Sequence, residues 1–90
     1  MKLCVIGTGY IGLVGAAIFA EWGNEVTGVD IDSDKISKIM SGEMPIFEPG
    51  LKEVVLKNIA EKRLDFTTDL PQGMKDAEVV FICVGTPQSH

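Results

Sequence analysis

A short apolar run near the amino terminus leads directly into a glycine-rich stretch, and together they restrict what this chain can form. Residues 3–6 read LCVI, which is typical of a strand buried on both faces of a parallel sheet. Glycines follow at positions 7, 9, 12 and 15, and the apolar residues Ile11, Val14, Ile18 and Trp22 recur with helical spacing. The pattern predicts strand 1, a glycine turn and helix A over residues 10–22.

The same stretch has an alternative interpretation as a targeting or membrane segment, because residues 3–20 carry no charged side chain. The glycines and Thr8 dilute its hydrophobicity, and no small-residue cleavage triplet precedes Glu21. We therefore expect a folded domain without membrane contact. A net charge of -5, with eight scattered Lys and Arg residues, also disfavours a nucleic-acid partner.

The two cysteines, Cys4 and Cys83, lie in apolar runs of strand character, so we expect two buried thiols. A disulfide is disfavoured, and with His90 as the single histidine there is no zinc pattern and no metal site is expected. Nothing indicates an oxidising compartment, and we expect a cytoplasmic protein. Ninety residues, 46% of them hydrophobic, suit one small domain.

The rest of the chain alternates between strand and helix patterns. We predict strand 2 at residues 26–29, helix B bearing Ile36, Ile39 and Met40, helix C from Leu51 to Arg63, strand 3 at 64–67, a short helix D, and strand 4 at 79–84. Asp32 or Ser33 can cap helix B, and Thr68 or Asp69 can cap helix D. This order of elements predicts a parallel sheet with right-handed crossovers.

The glycine turn, GTGYIG at residues 7–12, matches the G-x-G-x-x-G pattern between a predicted strand and a predicted helix. Gly7 permits the tight turn, Gly9 lets a pyrophosphate approach the backbone, and Gly12 lets helix A pack close to the sheet. The unpaired amides and the positive dipole end of helix A suit a phosphate group. The alternative is that these glycines serve close packing alone.

Asp30 ends strand 2, eighteen positions after Gly12, where a carboxylate can accept hydrogen bonds from a ribose. A carboxylate there would repel a 2'-phosphate, so NAD is favoured over NADP. Asp32 is a competing candidate for the ribose. Lys35, one helical turn into helix B, is placed to reach a phosphate, which leaves NADP open.

Several motifs resemble the UDP-glucose/GDP-mannose dehydrogenase family, and the resemblance runs along the whole chain. The motifs are GTGYIGL, VTGVDID with Lys35, GEMPIFEPGL, RLDFTTD and VFICVGTP. The resemblance implies NAD as the cofactor and an α/β fold, a truncated Rossmann-type parallel sheet in the order 3-2-1-4 with helices on both faces. It also implies a homo-oligomer, dimeric in the full-length family.

Members of that family oxidise the C6 alcohol of a nucleotide sugar to a carboxylate in two NAD-dependent steps, through intermediates linked to a cysteine. The resemblance implies that Gly7, Thr8, Gly9, Tyr10, Ile11 and Gly12 cradle the pyrophosphate, that Asp30 and Lys35 hold the ribose, and that Val84, Gly85, Thr86 and Pro87 contact the cofactor. The family's nucleophilic cysteine and sugar-nucleotide site lie downstream. We therefore expect residues 1–90 to be the amino-terminal part of one NAD-binding domain, without catalytic residues and inactive alone.

The resemblance favours UDP-glucose as the substrate, with GDP-mannose and UDP-N-acetyl sugars as alternatives. A hypothesis from another class is a freestanding Rossmann module that senses NAD(H) or assembles with partners. A third hypothesis is an NAD-linked dehydrogenase of the hydroxyacid type, which should lack the PIFEPGL motif at residues 45–51.

The segment between helices B and C carries one further candidate. Helix B leaves the carboxyl edge of the sheet, and helix C must finish at the amino edge, where strand 3 starts. The extended residues between them, at about 3.3 Å each, can climb back across the sheet and bring Glu48 near the cofactor side. The alternative is that Pro45, Pro49 and Gly50 only shape a connector.

Overall fold

The computed structural model describes residues 1–83, so the predictions for Val84, Gly85, Thr86 and Pro87 lie outside the described residues. In chain order the elements are β1 (Lys2–Ile6), α1 (Tyr10–Glu21), β2 (Glu25–Val29), α2 (Ser33–Met40), α3 (Leu51–Ala60), β3 (Leu64–Thr67), α4 (Leu70–Met74) and β4 (Val79–Ile82). All four strands pair in parallel, in the order β3-β2-β1-β4. The predicted α/β architecture and strand order are confirmed.

One face of the sheet carries the main core. Leu3 of β1 lies opposite Val26 of β2, and Val26 lies opposite Leu64 of β3, so these three side chains share one face. The helical residues buried against that face are Leu13, Ala16, Ala17, Ala20, Ile36, Ile39, Leu51 and Val55. Because full burial of a Val, Leu or Ile side chain contributes about 1.5–3 kcal/mol, this layer of α1, α2 and α3 supplies most of the hydrophobic stabilisation.

The opposite face of the sheet is covered by α4. A Cβ atom added at Gly73 would lie 2.2 Å from Cγ2 of Val29 and 3.5 Å from Cγ2 of Thr67, so α4 meets the sheet through its glycine. The Asp69 carboxylate accepts a hydrogen bond from the Gln72 N–H and caps this helix. Helices therefore lie on both faces of the sheet, as predicted.

Most of the large apolar residues whose spacing predicted helix A lie outside the buried face of α1. Ile11 and Trp22 are each 73% exposed, and Ile18 is 41% exposed. The buried residues of this helix are mostly small: Gly12, Leu13, Ala16, Ala17 and Ala20. Small side chains let the helix backbone lie close to the strands, as predicted for Gly12.

The carboxyl ends of two helices also differ from the prediction. Helix α1 ends at Glu21, with Trp22 as its C-cap. Helix α3 ends at Ala60, short of the predicted Arg63, because the chain must turn there to enter β3. The turn places Lys62 at a φ of 63°, and the Arg63 N–H donates to the carbonyl of Asn58 at 2.9 Å.

The two cysteines are free thiols in different surroundings. Cys4 is fully buried in β1, as predicted, and burial raises the pKa of its thiol. Cys83 was predicted inside a buried strand, and this is wrong: β4 ends at Ile82, and Cys83 follows it half-buried. Within the described residues β4 is the outer strand, so a residue at its end is flanked on one side only.

A polar network around Asn58 joins the carboxyl ends of α1 and α3. Asn58 is fully buried, and its Nδ2 donates to a Glu21 carboxylate oxygen at 3.0 Å. Its Oδ1 accepts from Nε of Arg63 at 2.9 Å, and the same Nε donates to the carbonyl of Ala20. Lys57 completes the network with an ion pair of 2.9 Å to Glu21. Every polar atom of the buried amide thus has a partner, which makes its burial tolerable.

The uncharged stretch of residues 3–20, considered above as a targeting or membrane segment, forms most of β1, the glycine turn and most of α1. Its lack of charge reflects burial of the strand and of the small-residue face of the helix. Across residues 1–83, no helix combines the length and apolar character needed to span a membrane.

Substitution of Gly12 by Ala should destabilise the fold strongly, because the added Cβ would lie 1.8 Å from the carbonyl oxygen of Gly7 and the backbone would have to move. We expect a loss of about 3 kcal/mol or more in the free energy of unfolding. Urea unfolding followed by the fluorescence of Trp22, the single tryptophan, measures this.

The matched control is Gly15→Ala in the same helix, where the added Cβ meets nothing within 4 Å. Alanine favours helix over glycine by about 0.5–1 kcal/mol, so this variant should be as stable as the parent or more stable. Equal stability of the two variants would contradict the close approach of α1 to the glycine turn.

Candidate functional site

The glycine turn connects β1 to α1 at the carboxyl edge of the sheet. Gly7 has a φ of 98°, in the left-handed region that glycine adopts without strain. Its N–H donates to the carbonyl of Val29 at 2.7 Å, and the N–H of Thr8 donates to Asp30 Oδ2 at 3.1 Å. The first two amides of the turn are therefore engaged within the protein, and those available to a ligand begin at Gly9.

The start of α1 is open to an anion. Gly9 is the N-cap, no side chain caps the helix, and its first turn holds no acidic residue. By contrast, α2 and α4 are capped by Asp32 and Asp69. The first four amides of a helix have no partner inside it, and they carry the positive end of the helix dipole. A Cβ at Gly9 would meet nothing within 4 Å, so an approaching group meets backbone alone.

Asp30 follows β2 at the same edge and is held by several donors. Its Oδ2 accepts from the N–H and the hydroxyl of Thr8, at 3.1 and 2.7 Å, and its Oδ1 accepts from the N–H of Asp32 at 3.0 Å. Burial alone raises the pKa of Asp30, but these hydrogen bonds and the charge of Lys35 outweigh it, and the pKa is lowered. The side chain keeps 13% exposure, so an ionised carboxylate is accessible at the edge.

The structure separates the two competing acidic candidates. Asp32 is the N-cap of α2, where its Oδ1 accepts from the N–H of Lys35 at 3.1 Å. The Lys35 Nζ lies 3.5 Å from Asp30 Oδ2, so the ammonium group sits beside the carboxylate that was predicted to bind ribose. Asp30 and Lys35 thus form one charged pair at the carboxyl edge, and Asp32 supports it through the backbone.

Glu48 lies beside the start of α1. Its Oε1 accepts a hydrogen bond from the hydroxyl of Tyr10 at 2.8 Å. Glu48 lies two residues before Gly50, the N-cap of α3, so this bond places the starts of α1 and α3 near each other. The connecting segment has climbed back to the carboxyl edge, as its length allowed. The hydrogen bond and negative charge of Glu48, with some desolvation, raise the pKa of Tyr10.

A small apolar cavity adjoins Asp30 on the side of the sheet covered by α4. It has a volume of about 170 Å³ and is lined by Ile31, Thr68 and Leu70 together with Gly7 and the ends of β1 and β2. Ile31 is 95% exposed beside this cavity. The sequence analysis missed these residues, although an isoleucine between two aspartates at a strand end was a usable signal.

The structure therefore brings residues 7–12, Asp30 and Lys35 together at one edge of the sheet. Glu48 lies beside them, where it accepts a hydrogen bond from Tyr10. Thr8 is fully buried and Ile11 points outward, so their surroundings differ from those of Gly9. The four predicted contacts at residues 84–87 lie outside the described part. Cys83 lies next to the turn, since its N–H donates to the carbonyl of Ile6 at 2.7 Å.

Comparison with known proteins identifies the family of the chain. The profile of the UDP-glucose/GDP-mannose dehydrogenase family, NAD binding domain, matches residues 1–90. The chain belongs to this family. The resemblance found in the sequence motifs is confirmed, and NAD is the cofactor that the matching domain binds.

Individual relatives agree on the family and differ in their substrates. UDP-glucose 6-dehydrogenase of Pseudomonas aeruginosa is 54% identical over 87 residues, covering 97% of this chain and 19% of the relative. The crystal structure of a GDP-mannose dehydrogenase from Pseudomonas aeruginosa matches with a TM-score of 0.93 and 43% identity, over 99% of this chain and 20% of that one. A UDP-D-ManNAc dehydrogenase from Pyrococcus horikoshii has a TM-score of 0.92 and 39% identity, covering 99% and 21%. The chain thus spans about a fifth of the length of these family members.

Tyr10 is the single tyrosine of the chain, so the alkaline absorbance of tyrosinate reports its titration alone. We expect Tyr10 to ionise above its ordinary pKa, because the phenolate would lose its hydrogen bond to Glu48 and face the carboxylate. Glu48→Gln keeps an acceptor but removes the charge, and should move the pKa back toward its ordinary value.

The control for this titration is Glu43→Gln, which removes an exposed carboxylate from the same connecting segment. It should leave the Tyr10 titration unchanged. A Tyr10 pKa that responds equally to both substitutions would show that the effect comes from net charge and not from the Tyr10–Glu48 contact.

Proposed function

We propose that residues 1–90 are the amino-terminal part of the NAD-binding domain of a nucleotide-sugar dehydrogenase, and that the parent enzyme oxidises UDP-glucose to UDP-glucuronate. The observation that carries the proposal is the uncapped start of α1 beside the ionised Asp30, on the same edge of the sheet. The family profile describes an NAD-binding domain, and the residues present fit NAD.

The start of α1 is proposed to bind the pyrophosphate. The amides from Gly9 to Gly12 carry partial positive charge and point toward the edge, and no side chain at Gly9 blocks a phosphate. Gly7 contributes through its left-handed φ, which turns the chain out of β1. Its own amide is already engaged with Val29, so we assign it a conformational role rather than a direct contact.

Asp30 and Lys35 are proposed to hold the adenosine ribose. The carboxylate accepts hydrogen bonds from neutral hydroxyl groups and repels a 2'-phosphate. Hydrogen bonds from Asp32 and Thr8, and to a smaller extent the Lys35 ammonium at 3.5 Å, outweigh its burial and lower its pKa. The adjacent cavity, with Ile31 and Leu70 as its exposed apolar walls, fits a flat aromatic ring such as adenine.

Residues 84–87 are proposed to contact the cofactor on the other side of the glycine turn. The support is the position of Cys83, which follows β4 and hydrogen-bonds to Ile6 directly before the turn. Bound NAD would supply hydride acceptance for the oxidation of an alcohol. The residues of this site are proposed to contribute binding and orientation. No nucleophilic role is proposed for Cys4, which is buried in β1, or for Cys83.

UDP-glucose is the proposed substrate because the relative with 54% identity is a UDP-glucose 6-dehydrogenase. Two structural relatives with TM-scores of 0.93 and 0.92 act on GDP-mannose and UDP-D-ManNAc by name, so these remain the alternatives. None of the contacts described here distinguishes the sugars. Steady-state assay of the parent enzyme with UDP-glucose, GDP-mannose and UDP-ManNAc decides, and the proposal requires the highest kcat/KM for UDP-glucose.

Titration of the chain with NAD and NADP by calorimetry should show the stronger binding for NAD. Asp30→Ala should weaken NAD binding roughly 10- to 100-fold, because hydrogen bonds to a charged group contribute about 1.5–3 kcal/mol. The same change should narrow the preference for NAD over NADP. Equal binding of the two nucleotides by the unsubstituted chain would contradict the role given to Asp30.

A matched pair of glycine variants tests the pyrophosphate assignment. Gly9→Val places a side chain over the open start of α1, and we expect NAD binding to weaken at least about tenfold. Gly15→Val in the same helix is the control, since at both positions an added Cβ meets nothing within 4 Å and the fold should tolerate it. An unchanged affinity in Gly9→Val would remove the assignment.

A further inference from the structure

Thr8 is the polar residue of the glycine turn that faces inward. It is one of two fully buried polar residues in the described part of the chain, with Asn58 as the other. Its hydroxyl donates to Asp30 Oδ2 at 2.7 Å, and its N–H donates to the same oxygen at 3.1 Å. A residue at 0% exposure has no surface to offer a cofactor, so Thr8 can affect binding only indirectly, through Asp30 or through its packing.

The acceptor capacity of Asp30 is almost filled. A carboxylate has about four positions at which it accepts hydrogen bonds, two on each oxygen. On Oδ2 both positions are taken by Thr8, and the Lys35 ammonium stands 3.5 Å away. On Oδ1 one position is taken by the N–H of Asp32 at 3.0 Å. Counting partners among residues 1–83, one acceptor position is left, and it is on Oδ1.

We propose that Thr8 is a positioning residue that holds Oδ2 of Asp30 turned into the protein, so that a single acceptor position on Oδ1 receives one ribose hydroxyl of NAD. The proposal rests on the proposed function of this edge as the NAD site. It moves Thr8 from the pyrophosphate end, which the family resemblance implied for it, to the ribose end of the site.

A purely structural role for Thr8 is the competing explanation. Its Cγ2 methyl lies 3.4 Å from the position of a Cβ added at Gly28, so the side chain also fills space against β2. Threonine and valine have nearly the same shape and differ by the hydroxyl. Thr8→Val therefore keeps the methyl packing and the backbone N–H bond while removing one of the two donors to Oδ2. Thr8→Ser does the reverse, keeping the hydroxyl and removing the methyl.

The test compares these two variants with the unsubstituted chain by NAD calorimetry and by carbon-detected NMR titration of the Asp30 carboxyl group. In Thr8→Val we expect NAD binding about tenfold weaker and a higher pKa of Asp30, since a hydrogen bond to the charged form is lost. In Thr8→Ser we expect affinity within about threefold of the unsubstituted chain and a nearly unchanged Asp30 titration.

The outcomes separate this proposal from the proposed function. If the unsubstituted chain binds NAD and Thr8→Val binds it equally well, the positioning role is wrong and the NAD site stands. If Thr8→Ser loses as much affinity as Thr8→Val, packing of the methyl explains the loss and the proposal is overturned. If the unsubstituted chain binds no NAD, the proposed function fails and this proposal fails with it.

Discussion

The contact between Gly12 and the carbonyl of Gly7 is the constraint on which the site depends. A Cβ at Gly12 would lie 1.8 Å from that oxygen, so no other residue lets the first turn of α1 come so near the end of β1. The small residues Ala16, Ala17 and Ala20 continue the same close approach along the helix. As a result the free amides of α1 lie at the carboxyl edge, directly beside the strand ends that carry Asp30.

The positive start of α1 and the negative carboxylate of Asp30 lie near each other on this edge. The start of α1 is positive because no carboxylate caps it, whereas α2 and α4 have their own aspartate caps. The negative Asp30 is held by Thr8, a neighbour of Gly9 in the same turn. One turn of chain thus presents amides on one side and orients a carboxylate on the other, which suits a ligand with a phosphate at one end and a ribose at the other.

Much of the fold could be predicted from local pattern. The types and order of the elements followed from the apolar runs and the glycine spacing, and the strand order followed from the family resemblance. The helical spacing of the large residues Ile11, Ile18 and Trp22 indicated the helix, yet these residues are exposed and the small ones are buried. Apolar periodicity indicates which residues share a face of a helix, but it does not indicate which face packs closely against the sheet.

By itself, the sequence determined the elements, the family and the candidate residues, because strand, turn and helix patterns act over a few neighbouring positions. Only the tertiary structure decided how those residues are used. The bond from Thr8 to Asp30 spans 22 positions and the bond from Tyr10 to Glu48 spans 38. Whether a hydroxyl faces a ligand or a neighbouring carboxylate depends on how chain segments far apart in sequence pack, and that follows from the close approach of α1 to the sheet.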